Sequence, residues 1–503
     1  MNNNIAEGSL RAARSLCDRC AGCDRRAGPR ALGAGAAQVE ITPKAGAHLA
    51  GSIGVFRPAQ SVLDPLYARA LVLEHGGRKM CILTLDVTMV TRPWTEQIRA
   101  AAVELGFDHD AVMVHAIQTH SAPPIGHFML DEDFPDVPAE HEWIRGGQTH
   151  YYEFAAHRAI EAIRLANESL RPVQVGVGSA VNDRVAFNRR GILRDGKACM
   201  PWPYSSLQLP LGPTHIRCLE GPTDPEVGVM CLRDADGRMV AMILHHTCHP
   251  VNVFAHTPNL AVSADWPGAW AAGMRAVYGE SCVPLVLNGC CGNINPWPAF
   301  EADFEPDHRR MGRELARTAC RVAERMTFGD ETVLAWKIRE VPLAVREVAP
   351  DALEAARKTI AEHPQPKWAS DNPSQPAHRP QVDPQWMSAA LTLSVDLMRR
   401  REPEMAYEIQ VLRIGDVALV GLPGEPFVEG QLRIKVGSPT YPTYVAHCTT
   451  HYVGYLPSKE AFQRGGHEVN TSYWAKLCPD ALDLVVDNAL ELLKETFPPR
   501  PST

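Results

Sequence analysis

What this chain does without narrows the field before any motif is read. It has no uninterrupted apolar run near the roughly 20 residues a bilayer-crossing helix requires, so insertion in a membrane is not expected. It has no block of like charge. Its 50 Lys and Arg and 58 Asp and Glu are interspersed and leave a net charge of −8, which argues against nucleic acid as a partner. No G-x-S-x-G elbow is present, since Ser263 in VSADWPG lacks the flanking glycines, and no P-loop or G-x-G-x-x-G opens a helix. A serine-elbow hydrolase and nucleotide chemistry are therefore set aside. No repeat is visible. The first 38 residues lack the apolar centre of a secretory signal, so the cytoplasm is the expected location.

Cysteine is plentiful, at 14 residues, but a disulfide framework is missing. Cys81, Cys231 and Cys320 sit singly in apolar runs, where a thiol acts as a small hydrophobe. Cys17, Cys20 and Cys23 resemble part of a zinc knuckle without a nearby fourth ligand, in a Gly/Ala/Arg-rich tail expected to be disordered.

What the chain does have is alternation of strands and helices. DPLYARALVLEHGGRKMCILTLDVTMV predicts two strands around a Gly-Gly turn, and VGVMCLRDADGRMVAMILHHTCHP a second hairpin turned at Asp234–Gly237. TRPWTEQIRAAAVELG, YYEFAAHRAIEAIRLANESL, WPGAWAAGMRAVYG, DHRRMGRELARTACRVAERM and ALDLVVDNALELLKETF have helical apolar spacing. Helices alternating with hairpins predict an α/β fold: a mixed β-sheet core flanked by helices. Residues 1–35 form the tail and 36–503 a single domain. A loop rich in Pro and Trp spans 192–226, and a polar, Pro-rich insert spans about 362–385.

The polar chemistry collects where apolar strands stop. VMVHAIQTH ends on Gln118 and His120, MVAMILHHTCHP on His245, His246 and His249, and VALVGLPGEP on Glu425. AHCTTHYVGYLP offers His451, Tyr452 and Tyr455. Ligands bind outside strand ends in open α/β sheets. Two histidines, a carboxylate and an oxygen donor make a zinc-type set with a position left for water. Each histidine alone is better explained by packing than by a metal; four such termini together point to a metal site. Asp265 reads either as the cap of the following helix or as support for a ligand histidine, and Asp86 is similarly ambiguous.

The segments AQVEITP, DPLYARALVL, QTHSAPP, FNRR, CHPVNV, SADWPG, NGCCGNINP, LPGEP and GYLPSKEAFQRGGHEV, in that order, resemble the neutral/alkaline non-lysosomal ceramidase family, specifically its N-terminal catalytic domain. The likeness runs from about Ala37 to Val469 and is to a short member without the C-terminal immunoglobulin-like domain. It implies a zinc-dependent hydrolase of an amide bond, with one Zn2+ per chain. It also implies that His249, Glu425 and Tyr455 hold the metal, that Arg189 lies near the substrate, and that His467 stands where the family has a second tyrosine. Where the family reads Thr-His-Thr-His-Ser-Gly-Pro, this chain has Gln118 for the first histidine and keeps the second as His120. Three outcomes follow: His120 is the ligand, or Gln118 coordinates through its amide oxygen and another divalent ion is used, or the metal is lost. Residues two apart on a strand share a face, so both should point into the site.

The expected reaction is attack of a metal-activated water on the carbonyl of a small or N-acylated amide. Tyr455, His467 and Arg189 would stabilise the oxyanion, Gln118, Arg189 and His467 would contact substrate, and Asp265 would assist. A non-hydrolytic relative that only binds, and an esterase, are the alternatives. A homo-oligomer is the commonest state for a soluble enzyme of this size.

Overall fold

The main sheet is built from hairpins whose turns the sequence dictates. In the computed structural model, which describes residues 31–135, 137–202, 215–301, 304–330, 333–369 and 380–499, eight principal strands share one sheet. They are β1 (Gly33–Glu40), β2 (Tyr67–His75), β3 (Arg78–Leu85), β4 (Val112–Ala116), β5 (Arg171–Val181), β6 (Glu226–Asp234), β7 (Met239–His246) and β8 (Val283–Asn288). The order is β8-β7-β6-β5-β1-β2-β3-β4, with the short strand Phe328–Gly329 added on β5. Gly76 and Gly77, at φ 61° and 82°, supply the left-handed turn between β2 and β3. The sheet is mixed: β3–β4 and β7–β8 pair in parallel, the others antiparallel.

The β1–β5 junction is only two residue pairs long, Gly33 with Pro172 and Ala34 with Arg171. It divides the sheet into two arms. Leu71, Leu73, Ile82 and Met113 of one arm share a core with Met230, Ile243, Leu285 and Leu287 of the other. The alternate residues, among them Ala70, Val72, Leu83, Val229 and Leu244, face a different core. Helix Thr149–Glu168 packs there on β1 and β2, and helix His308–Glu324 on β5 and β6. The period-2 alternation thus gives each arm two buried faces.

A second sheet of four strands, Leu334–Ala344, Glu404–Ile414, Val417–Gly421 and Thr443–Ala446, adds Leu412, Leu419, Tyr444 and Ala446 to the core between the arms. Its other face packs on helix Ala481–Thr496 through Ile409, Val411, Val485 and Ala489. His115 ties the units together where their strands end. Its Nε2 accepts from the Asn288 amide at 3.1 Å, and its Nδ1 donates to the His447 carbonyl at 2.7 Å.

The expected mixed α/β architecture is what the chain forms. The Pro-rich segment is pinned at both margins, where Trp368 bridges Val382 and Gln381 bridges Val55. Residues 370–379, 203–214 and 1–30, the last including Cys17, Cys20 and Cys23, lie outside the described residues. No helix among the described residues is long and apolar enough to cross a membrane.

Candidate active site

The strand ends converge on one buried cluster. After Gly421 the chain passes through Leu422-Pro423-Gly424 into the two-residue strand Glu425–Pro426. This pairs in parallel with Tyr455–Leu456, so that Glu425 and Tyr455 stand opposite each other. Gly424, at φ 68°, has the Gly454 carbonyl 2.3 Å from where a Cβ would lie, so only glycine allows this approach.

His249 reaches the same place from the end of β7. Its Nδ1 donates to the carbonyls of Cys291 (2.6 Å) and Ile294 (3.1 Å), which fixes the ring and turns Nε2 towards Glu425 Oε2, 3.1 Å away. Glu425 Oε1 accepts from the Tyr452 hydroxyl at 2.8 Å. Burial alone would raise the Glu425 carboxyl, but the hydrogen bond and charge of His249 and the charge of Arg189 hold it well below the usual carboxylate range.

Arg189 lies behind Tyr455. Its guanidinium donates to the Tyr455 oxygen (3.1 Å), Glu468 Oε1 (2.9 Å) and Asn295 Oδ1 (3.4 Å). Glu468 is shared with Arg190, whose Nη1 is 2.5 Å from Oε2. These groups are buried, and such a charge set survives only because every member is paired.

A cavity of about 80 Å³ opens above the cluster. Gln118, His120, Glu425, Tyr452, Tyr455 and His467 form its polar wall, and Ile53, Met89, Phe128, Met129 and Trp474 its apolar wall. His467 stacks on Trp474 with ring centroids 5.4 Å apart and meets Tyr455 edge-on at 5.7 Å. Burial lowers its pKa against the opposing pull of Glu468.

Gln118 and His120 both line the cavity, although not by strand alternation. The strand ends at Ala116, and Gln118 adopts φ 69°, a left-handed conformation off the strand path. The Cys291 thiol donates to Gln118 Oε1 at 3.6 Å, and Gln118 Nε2 is buried with no partner. His120 stands edge-on to His249 with centroids 5.7 Å apart, and its Nδ1 is buried without a partner. Burial, then the charge of His249, pushes its pKa down to about 3. The absence of a side chain at Gly51 leaves room for the ring: a Cβ there would lie 2.5 Å from His120 Nδ1.

The other candidates are placed elsewhere. Asp265 is not among the cavity-lining residues. At φ 58° it heads helix Asp265–Tyr278, and its carboxylate accepts from Asn252 Nδ2 (2.9 Å) and the amides of Val253 (2.8 Å) and Trp266 (2.7 Å). It therefore shapes the loop that follows His249. His245 stacks on Tyr444, and His246 packs edge-on to Trp266. Asp86 pairs with Arg69 inside the sheet at 2.6 Å. Sequence reasoning named Tyr452 among the strand-end candidates but gave no role to Glu468 or Trp474. Two consecutive arginines at a strand end, Arg189 and Arg190, were a signal that a buried acid would be needed; Trp474 left none.

The donor chemistry fits a divalent ion at one place. With Nδ1 committed to carbonyls, His249 Nε2 presents a lone pair to a carboxylate oxygen. Such a contact calls for a cation, a proton or a metal ion, between the two atoms. A bound histidine normally donates its second nitrogen to a fixed acceptor; His249 does so and His120 does not. Among the described residues no three His, Cys, Asp or Glu side chains gather as an ion-binding group. A complete set would therefore draw on the Tyr455 phenol with Gln118 or His120.

The chain has the fold of neutral ceramidase from Pseudomonas aeruginosa, with a TM-score of 0.65 and 16% identity over 94% of this chain and 76% of that one. The structure of a ceramidase complexed with C2 is similar to the same degree. No protein-family model and no curated protein matches the chain.

Proposed function

We propose that this chain is a metal-dependent hydrolase that cleaves an amide bond of a small or N-acylated substrate. The observation that carries the reading is the buried His249–Glu425 pair, 3.1 Å apart, with Glu425 lining the cavity and the Tyr455–Arg189–Glu468 chain behind it. Buried charge kept beneath a cavity marks a functional site more often than a stabilising device. The fold is that of solved ceramidases, which raises the prior for amide hydrolysis by analogy.

His249, Glu425 and Tyr455 would hold the ion, with His120 or Gln118 beside it. A zinc or similar ion bound there supplies an activated water and polarises the carbonyl. The remaining work belongs to the chain. Gln118 Nε2, buried and unpartnered, donates to the substrate carbonyl oxygen as charge develops there. Arg189 fixes the Tyr455 hydroxyl that faces the same oxygen. His467, held flat against Trp474, takes up the proton that the attacking water loses and passes it to the departing amine nitrogen. Ile53, Met89, Phe128 and Met129 exclude bulk water, which strengthens these contacts. A cavity of about 80 Å³ suits a short acyl group rather than a long lipid chain.

The test is elemental analysis and hydrolysis of a panel of short N-acyl amides by the wild type, His120→Ala, Gln118→Ala and His249→Ala. Near one ion per chain, lost with His249→Ala, and hydrolysis abolished by chelator and restored by zinc, bear the proposal out. The fourth ion-holding side chain is whichever of His120 and Gln118 costs the metal when removed. A metal-free wild type inert to the whole panel overturns it. The loose donor set around Gln118 then favours a binding protein of ceramidase fold.

A further inference from the structure

Beyond the wall of the catalytic cavity lies a larger pocket with no role in the chemistry above. It has a volume of about 420 Å³ and shares only Phe128 and Tyr452 with the cavity; these two rings meet edge-on at 5.4 Å and separate the spaces. Trp94, Leu130, Met398, Met405 and Tyr473 give it an apolar and aromatic lining, and Arg92, Arg145 and Arg401 stand around it together with the acids Glu132 and Glu402, of which Glu132 pairs with Arg401.

The telling residue is Lys476. It lines the pocket and is 2% exposed. One of its three N–H donors is used on the Tyr473 carbonyl at 2.8 Å, and its ammonium lies 4.3 Å from the centre of the Tyr473 ring. Among the described residues it forms no ion pair. The acid whose charge acts on it, Asp131, is committed to Arg401 at 2.7 and 2.8 Å and accepts from the Tyr473 hydroxyl at 3.3 Å. A carbonyl and a ring face are weak compensation for a buried ammonium. Burial pushes Lys476 down to about 7 against the opposing pull of Asp131. Next to it, burial, then the charges of Lys476 and Arg92, depress His451 to about 3, so both cations act on one spot.

We propose that this pocket binds an organic carboxylate, with the anion on Lys476 and the hydrocarbon part against Trp94, Phe128 and Tyr452. A carboxylate supplies the acceptor atoms that the buried ammonium lacks, and the aromatic lining fits a flat or short apolar body. A neutral amide of the same shape supplies no charge and binds weakly. The site is distinct from the catalytic cavity and does not depend on the reaction assigned there.

The experiment is calorimetric titration of the full chain with benzoate and with benzamide. Expected are one saturable benzoate site, benzamide at least tenfold weaker, a tenfold or greater loss of benzoate affinity in Lys476→Met, and retention in His249→Ala. Independently, in the wild type, benzoate slows acetylation of Lys476 by acetic anhydride, read by peptide mass mapping, and leaves the exposed Lys358 unchanged. Absence of saturable benzoate binding overturns the proposal. So does unchanged affinity in a folded Lys476→Met, or acetylation of Lys476 at one rate with and without benzoate.

Discussion

His249 Nε2 and Glu425 Oε2 lie 3.1 Å apart, while the other nitrogen of the same ring is bound to two backbone carbonyls. The ring cannot rotate away, and the Tyr452 hydroxyl holds the carboxylate from its other side. Replacing Glu425 by Gln removes the charge and keeps the shape. The expected result is loss of amide hydrolysis and of bound metal, with stability lower by about 3 kcal/mol because His249 faces a neutral partner in a buried site. Urea unfolding beside a metal assay checks both parts; unchanged metal content counts against the ligand role.

Gly51 leaves the space that His120 occupies. Its φ of +102° and the 2.5 Å approach of His120 Nδ1 to a would-be Cβ mean that Gly51→Ala must move the ring. Gly46 is the control, with φ +87° and open space around it. Gly46→Ala is expected to cost about 1 kcal/mol from backbone strain alone. Gly51→Ala should cost about 1–3 kcal/mol more and lower kcat/KM at least tenfold. Equal effects of the two substitutions would show that His120 has no fixed role.

Arg189 is expected to resist even conservative exchange. Arg189→Lys cannot reach Glu468, Tyr455 and Asn295 from one planar group. Arg189→Met leaves Glu468 with Arg190 alone and should destabilise by about 3–5 kcal/mol. Denaturation of both variants, compared with Arg184→Met on the exposed surface, measures this.

His467→Asn should lower kcat by about a hundredfold and change KM little, since a proton donor acts in the transition state. Phenyl ester substrates, whose leaving group needs no proton, should be affected less. An equal loss on amide and ester would count against the donor role.

Stability is expected to fall as pH drops from about 6.5 towards 4. His115, His245 and His246 are each lowered to about 4 and His451 to about 3, with burial the first cause in every case. The unfolded chain binds protons in this interval that the folded chain does not. The stability these histidines contribute is therefore complete above their unfolded pKa and lost as pH falls through the folded values. Glu468 adds to the slope at lower pH, since Arg189 and Arg190 outweigh the effect of burial and depress its carboxyl. Urea midpoints at pH 7.5, 6.0 and 5.0 should decrease in that order. A flat profile would mean that the buried rings are reached by water.

Much of the local structure was legible because its causes are local. The Gly76-Gly77 turn, the Asp234–Gly237 turn and the helix capped by Asp307 each follow from a few adjacent residues. The gathering of polar residues at strand ends is also local: Gln118, His120, Glu425 and Tyr455 line the cavity and His249 meets Glu425, whereas His245 and His246 pack on Tyr444 and Trp266. Strand Leu334–Ala344 escaped notice because LAWKIREVPLA carries charged and apolar residues on a half-exposed surface, which blurs its period of two. Helices Pro350–Glu362 and Pro384–Arg401 went unread beside the Pro-rich segment they flank.

The sequence by itself determined the element types, the mixed α/β class and the residues able to do chemistry, because periodicity, turn geometry and side-chain type are properties of neighbours. Only the tertiary structure decided which of them meet. Glu468 lies 279 residues from Arg189, and Glu425 lies 176 from His249. It is the closing of the two sheet arms on each other and on the second sheet that brings these groups within hydrogen-bonding distance. The turn of Gln118 out of the strand, and with it the direction of its amide, was likewise set by the β4 terminus meeting Val87 and Cys291 rather than by any rule of alternation.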